Sequence, residues 1–485
     1  MKKIKYSIAA LSLFLAIGCT NDAEDFNNNK DRSYDVPAET LLTNAQRELV
    51  DQMTTPEVNL NPFRFFVQYW AATQYPQESR YNLTQRTVPD NLWDNLFRDV
   101  LGNLETAKDV INQESRPNAI SEADWAIQQS NKIAIVEILE VYTFQILVDT
   151  FGDIPYTEAL DPINVLPKYD DDATIYPKLI TRLDVAIAAL DDTQSSFASG
   201  DLLYDGDVSG WKLFANSLKV KLGINLADVD DALARTTIES AVTAGVILTN
   251  ADNTVFAYNA APFYNPLYAQ LVASNRNDFV ASSTIVDKLN ELSDERRSAY
   301  FSLKDGAYVG GLNGGANTAA NFSAIGEKFR VANYPATLFD AAEVNFYLAE
   351  AAARGYSVGG TAETFYNTGI ETSFEFWGVS GSVAAYLANP DVAYTTAEGD
   401  WKQKIGIQAW LALFNRPFEA WTSYRRLDVP SLIAATGAVP AAEGLVPIRF
   451  TYPINEFTVN RTNVEDAIDA MGGNKLQTRI FWDVD

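Results

Sequence analysis

The sequence predicts a mainly α-helical protein, built from stacked helical hairpins with one irregular, loop-rich stretch set among them. Three observations predict it. The segment from Ile133 to Val148 is apolar over most of its circumference, with Glu137 and Glu140 on a narrow remaining strip. A helix of that kind has to be covered on both flanks, which makes it a central core helix. Pairs of segments with apolar residues at helical spacing recur before and after it. Between residues 251 and 342 that spacing fades, and Asn, Gly and Pro become frequent.

Taken in order, the chain opens on a processing segment. Lys2, Lys3 and Lys5 precede an apolar run from Ile8 to Ile17, too short for a permanent membrane span. The single cysteine, Cys19, follows Gly18 at the end of that run, with Ala16 and Leu15 before it. The pattern resembles a bacterial lipobox, so residues 1–18 are expected to be a lipoprotein signal peptide and Cys19 the acylated mature N-terminus. Residues 19–35 carry three consecutive asparagines and several acids without apolar periodicity, and are expected to be a flexible tether. A single domain is expected over 36–485.

Phe63, Phe66, Val67, Trp70 and Ala71 recur at helical spacing, so a helix is predicted over Asn61 to Gln74 with Trp70 in the core. The polar run Tyr75 to Asn82, broken by Pro76, reads as an exposed loop carrying Tyr75, Arg80 and Tyr81. A helix from Trp93 through Ala107 pairs with the central helix. The central helix stops at Gly152, and Pro155 forbids it from resuming. A second hairpin is predicted to pair Tyr176–Leu190 with Trp211–Ala227. A third pairs Glu343–Arg354 with Thr361–Trp377, and Trp401–Leu427 adds one or two helices more. Such repetition suggests a tetratricopeptide-like layer, although the full consensus of that repeat is absent. The Gly-rich loop Asp305 to Gly315, with Tyr308 and Asn313, is long enough to be functional.

Composition removes whole classes of activity. The chain has 37 basic and 63 acidic residues and no histidine. Nucleic acid is excluded as a partner by the missing Lys/Arg clusters. Ser-His-Asp and Cys-His catalysis, and histidine metal ligation, are excluded outright. Ser209-x-x-Lys212 matches the first serine acyltransferase motif, but no Lys-Thr-Gly follows. Asp205-Gly206-Asp207 and Asp170-Asp171-Asp172 lack the alternating ligands and distal Glu of a calcium loop, so turn and cap chemistry is expected there and no metal is assigned. Glu343 and Glu350 lie seven residues apart on one helix, about 10 Å along its axis, which suits scaffold ion pairs with Arg425 or Arg426 better than glycosidase chemistry. No catalytic residue and no cofactor are assigned.

Six phrases in order then carry a family resemblance. They are Phe151-Gly152-Asp153-Ile154-Pro155-Tyr156, Trp211 to Leu218, Ala342 to Ala351, Glu419 to Arg426, Tyr452-Pro453 with Glu456 and Asn460, and Ile480-Phe481-Trp482-Asp483. Behind a lipobox they resemble the SusD/RagB outer-membrane lipoproteins. Asp294-Glu295-Arg296 stands where that family often has Asp-Pro-Arg, and Phe481 where a second tryptophan is common. The resemblance implies a lipid-anchored protein on the outer face of the outer membrane. It would sit on a SusC-like TonB-dependent transporter and capture glycan or peptide fragments without turning them over. Sugar recognition needs flat apolar faces and amide or guanidinium donors on loops of a rigid body. Tyr75, Arg80, Tyr81, Tyr308 and Asn313 are the residues that fit.

Overall fold

The computed structural model describes residues 36–484; Cys19 and the segments expected to be signal peptide and tether fall outside them. Helix α1 (Ala38–Thr54) lies against α2, a continuous run of Val88–Asp94, π-wound Asn95–Leu101 and Gly102–Gln113. Helix α2 packs on α3 (Glu122–Phe151), and α3 on α4 (Asp172–Ala189). The Ser121 side chain starts α3 by accepting the Asp124 amide, which satisfies one of the free N–H groups of the first turn. From Asn131 onward all but Ile133 and Glu137 are buried, so α3 is the covered central helix its composition predicts. It ends at Gly152, whose N–H donates to the Val148 carbonyl at 2.8 Å. Gly152 sits at φ +79°, and a Cβ there would come within 2.1 Å of the Met471 side chain. The left-handed φ favours glycine there, and any larger residue would also displace the flexible end of Met471.

The second hairpin is paired differently from the expectation. Helix α5 (Val208–Asn225) packs mainly on α6 (Asp231–Ala244), a helix not separated in the sequence reading, while α4 lies mainly on α3. Two local features decide this. The Asp230 side chain caps α6 by accepting the Leu233 amide at 3.0 Å, and Gly223 lets Ile238 approach so closely that a Cβ would meet it at 2.7 Å. The third hairpin forms as predicted, from α7 (Ala341–Ala353) and α8 (Ala362–Trp377). Helices α9 (Trp401–Ala412) and α10 (Pro417–Leu427) follow, α9 resting on α7.

Most charges inside this layer are paired, Arg425 being an exception. Arg426 meets Glu350 at 2.8 Å, and Lys221 lies between Glu419 at 2.5 Å and Glu343 at 3.1 Å. Glu343 and Glu350 are therefore scaffold groups, Glu350 held by Arg426 and Glu343 by Lys221 and Arg416, neither of them by Arg425. Arg425 instead stacks on Trp421 and Trp482, 3.6 and 4.7 Å from the ring centroids, and donates to the Asp149 carbonyl. Burial raises the Glu419 carboxyl above its usual range. For Glu343 burial acts the same way, but Arg416 and Lys221 outweigh it and the net shift is downward.

The predicted helix over Asn61 to Gln74 is a correction. Only Phe63–Phe66 is helical; Gln68 takes φ +57°, and Trp70–Ala72 becomes a strand paired antiparallel with Phe279–Ala281, Trp70 opposite Ala281. Phe63, Phe66, Val67, Trp70 and Ala71 are all buried nonetheless. The spacing picked out core residues, but the helix end joined to a strand also buries Arg64, Phe65, Gln68 and Tyr69 between them. This strand pair ties the first loop to the irregular region and forms the base of the loop face.

Candidate functional site

The structure brings Arg80, Tyr81 and Asn313 together, as parts of a joint between three loops. The Arg80 Nε donates to the Gly314 carbonyl at 2.8 Å, and the Val439 amide to the Arg80 carbonyl at 2.9 Å. The Asn313 Nδ2 donates to Gln68 at 2.8 Å and Thr284 at 2.9 Å, while its carbonyl accepts the Thr436 amide. Gln68 in turn donates to the Ile433 carbonyl at 2.6 Å. A Cβ on Gly314 would stand 2.4 Å from the Thr436 carbonyl, so the loops can close only over glycine.

Tyr81 corrects the sequence reading. It is 1% exposed, packs edge-on against Phe66, and its phenol oxygen accepts the Ala435 amide at 3.0 Å. Its φ of +67° turns the chain inward at the end of the loop and swings the ring into the core. It offers no face to a ligand. Tyr308 is half-buried, with Arg297 5.5 Å from its ring centroid, and lies outside the cavity described next.

Tyr75 remains on the surface, 47% exposed, and stands in a cleft of about 350 Å³. The guanidinium carbons of Arg86 and Arg276 lie over its ring at 5.2 and 4.9 Å from the centroid. These contacts hold the ring in one orientation while leaving much of it open. The other polar groups of the cleft are Asn59, Gln74, Gln270, Glu57 and Asp278. Glu57 accepts from Gln270 at 2.5 Å, and Asp278 binds Arg276 at 2.6 Å. The second oxygen of Asp278, Oδ1, is buried in the wall without a hydrogen-bond partner, an acceptor turned to no protein donor. An aromatic ring with amides, guanidiniums and a free acceptor around it suits a neutral polyhydroxylated ligand. Arg86, Gln270, Arg276 and Asp278 escaped the sequence reading, because they come from separate segments and form no motif.

Cap chemistry accounts for Asp207 and Asp171, whereas Asp172 reaches across the fold. Asp207 caps α5 through the Ser209 and Gly210 amides, which leaves Ser209 at a helix start. Asp171 caps α4 through Ala173, Asp153 accepts the Asp172 amide at 2.9 Å, and Asp172 accepts the Phe481 amide at 3.0 Å. Burial, reinforced by their neighbours' charges, raises the carboxyl of Asp153 to about 6 and that of Asp172 to about 7.

Residues 29–453 match the SusD-like family model described as starch-binding and associating with the outer membrane. The chain belongs to this SusD-like family. Among solved structures it is similar to a chitin-binding protein at 28% identity, with 92% of this chain and 100% of that one covered and a TM-score of 0.78. A chitin-binding SusD homologue from Flavobacterium johnsoniae is 26% identical, with 92% and 99% covered and a TM-score of 0.76. A SusD homologue from Bacteroides uniformis is 28% identical over the same shares, also at 0.76. No curated protein sequence matches. The protein is thus a SusD-like binding protein on a helical, tetratricopeptide-like scaffold.

Proposed function

We propose that this protein captures glycan oligosaccharides at the cell surface, in the Tyr75 cleft, and delivers them to a SusC-like TonB-dependent transporter. The observation that carries the reading is the cleft itself: an exposed, oriented ring among Asn59, Gln74, Gln270 and the free Asp278 oxygen. A sugar offers just the complementary surfaces, an apolar ring face and hydroxyl groups. Chitin oligosaccharides are the first ligands to test, since two similar structures are of chitin-binding proteins. Capture proceeds without hydrolysis. Each cleft carboxylate holds a protein donor through one oxygen, Glu57 to Gln270 and Asp278 to Arg276, whereas a glycosidase needs an acid and a second carboxylate facing the scissile bond. Affinity for the protein alone is weak, because few contacts must offset the ordering of a mobile ligand.

Anchoring is by Cys19, diacylated or triacylated because one chain holds only marginally. Cys19→Ala releases the protein from the membrane fraction or leaves it unprocessed; mass spectrometry that finds an unmodified Cys19 in the mature wild type would refute this. Capture is tested on a glycan and peptide array with product analysis of each hit. Cleaved products would overturn capture without turnover, and hits confined to peptides would replace the glycan with a peptide ligand.

A further inference from the structure

A second cavity of about 280 Å³ shares Arg276, Asp278 and Phe279 with the Tyr75 cleft. Its buried walls come from Leu271, Val280 and Ile325, and its polar groups are Arg276, Asn277, Asp278 and Arg330. Arg330 is set apart from the other arginines. Every other arginine among the described residues has a hydrogen bond or an ion pair, from Arg47 with Asp51 to Arg479 with Asp483. Arg330, half-buried at the end of the short helical turn Glu327–Arg330, makes neither.

A half-buried guanidinium loses hydration without recovering it from the protein, so its five donors are available to a ligand. Across the two cavities three guanidiniums, of Arg86, Arg276 and Arg330, face two carboxylates, of Glu57 and Asp278. That local excess of positive charge stands on a chain of formal charge −26. An anionic ligand is repelled over most of such a surface at long range, and is accepted only where a paired contact compensates. Guanidinium and carboxylate match as two parallel N–H···O bonds.

We propose that this cavity is a second subsite, which takes a carboxylate-bearing sugar of the same oligosaccharide that Tyr75 holds. The carboxylate pairs with Arg330, the apolar wall of Leu271, Val280 and Ile325 receives the ring, and Asn277 meets hydroxyl groups. The proposal rests on the glycan-capture reading above.

The test is calorimetric titration of the full mature protein in detergent with three oligosaccharides of equal length: one neutral, one carrying a uronate residue, one carrying a sulfate ester. The uronate ligand binds about tenfold more tightly than the neutral one. Arg330→Gln removes that preference and leaves neutral binding within about twofold, while Arg330→Lys restores only part of it, having no planar fork. Tyr75→Ala weakens both ligands together. Equal affinity for neutral and uronate ligands, or an equal loss of both in Arg330→Gln, would overturn the subsite and leave capture standing. Tightest binding of the sulfated ligand would overturn the carboxylate assignment. Failure of all three to bind would remove the capture reading, and the subsite with it.

Discussion

In the helical layer Lys221 is fully buried between Glu343 and Glu419, and Arg426 lies equally deep against Glu350. On the loop face, by contrast, the Arg276 side chain is 46% exposed beside Tyr75, and Arg330 stands half-buried with no partner. Removing charges from water costs several kcal/mol per ion, so Lys221 and Arg426 persist with carboxylates against them, while Arg425 and Arg449, buried without an ion pair, are held by backbone carbonyls and aromatic rings. The half-open ones need no such support, and their unspent hydrogen-bonding capacity faces the cavities. Charge in this molecule therefore separates scaffold from site more sharply than hydrophobicity does, since both regions rest on buried aromatic residues.

The contrast can be broken most severely from the scaffold side. Leu139→Asp places a lone carboxylate in the middle of α3, where the native side chain is 1% exposed, and abolishes soluble expression. A soluble, cooperatively melting variant would contradict the central role of α3. Next comes Glu350→Gln, which leaves Arg426 buried without its counter-charge. A loss of about 3–5 kcal/mol in urea unfolding is expected, whereas replacing both partners by apolar residues of similar volume costs far less. If the double replacement is as damaging as the single one, the charge is not what the layer depends on.

A smaller effect appears with pH. Asp153 and Asp172 have folded pKa values of about 6 and about 7, above the ordinary aspartate value near 4. Between those limits the folded chain binds more protons than the unfolded one, so their contribution is complete below about pH 4 and is lost as pH rises through 6 to 7. Thermal melts from pH 5 to pH 8 should show stability falling, by about 2 kcal/mol from this pair once their mutual repulsion is counted only once. Asp172→Asn, which keeps an acceptor for the Phe481 amide, should flatten that slope; an unchanged slope would assign it to other groups. The smallest effect on the fold belongs to the site. Tyr75→Ala alters stability by less than about 0.5 kcal/mol, as an exposed position should. It weakens oligosaccharide binding about tenfold by calorimetry, and binding that survives loss of Tyr75 and Tyr308 together would move the site elsewhere.

The scaffold was legible because its signals are local. Ile133 to Val148 carries in its own composition the mark of a covered helix, and the α7–α8 hairpin lies in two adjacent periodic runs. The pairing of α5 with α6 was not legible, because it turns on Gly223 opposite Ile238, a contact between helices. Asn61 to Gln74 misled for a related reason: residues 61–72 are buried without a break, so the helical spacing was a subset of a wholly covered segment. At the site, a polar loop with proline marked Tyr75 as exposed. The same reasoning placed Tyr81 beside it, since nothing in Arg80-Tyr81-Asn82 announces that Ala435, over 350 residues on, supplies its hydrogen bond. Arg276 and Arg330 carry no sequence signal at all, because an arginine's lack of a partner is a property of the folded chain.

The joint of Arg80, Gln68, Asn313 and Gly314 bears on how such a protein can change its diet. Its hydrogen bonds are mutual, so a substitution in one loop strands donors or acceptors in the other two, and drift there is penalised before any ligand is met. Tyr75, Asn277 and Arg330 carry no bond of the joint. Natural variation in what the protein takes up, and laboratory evolution toward a new glycan, should accumulate at those three positions while the joint stays fixed beneath them.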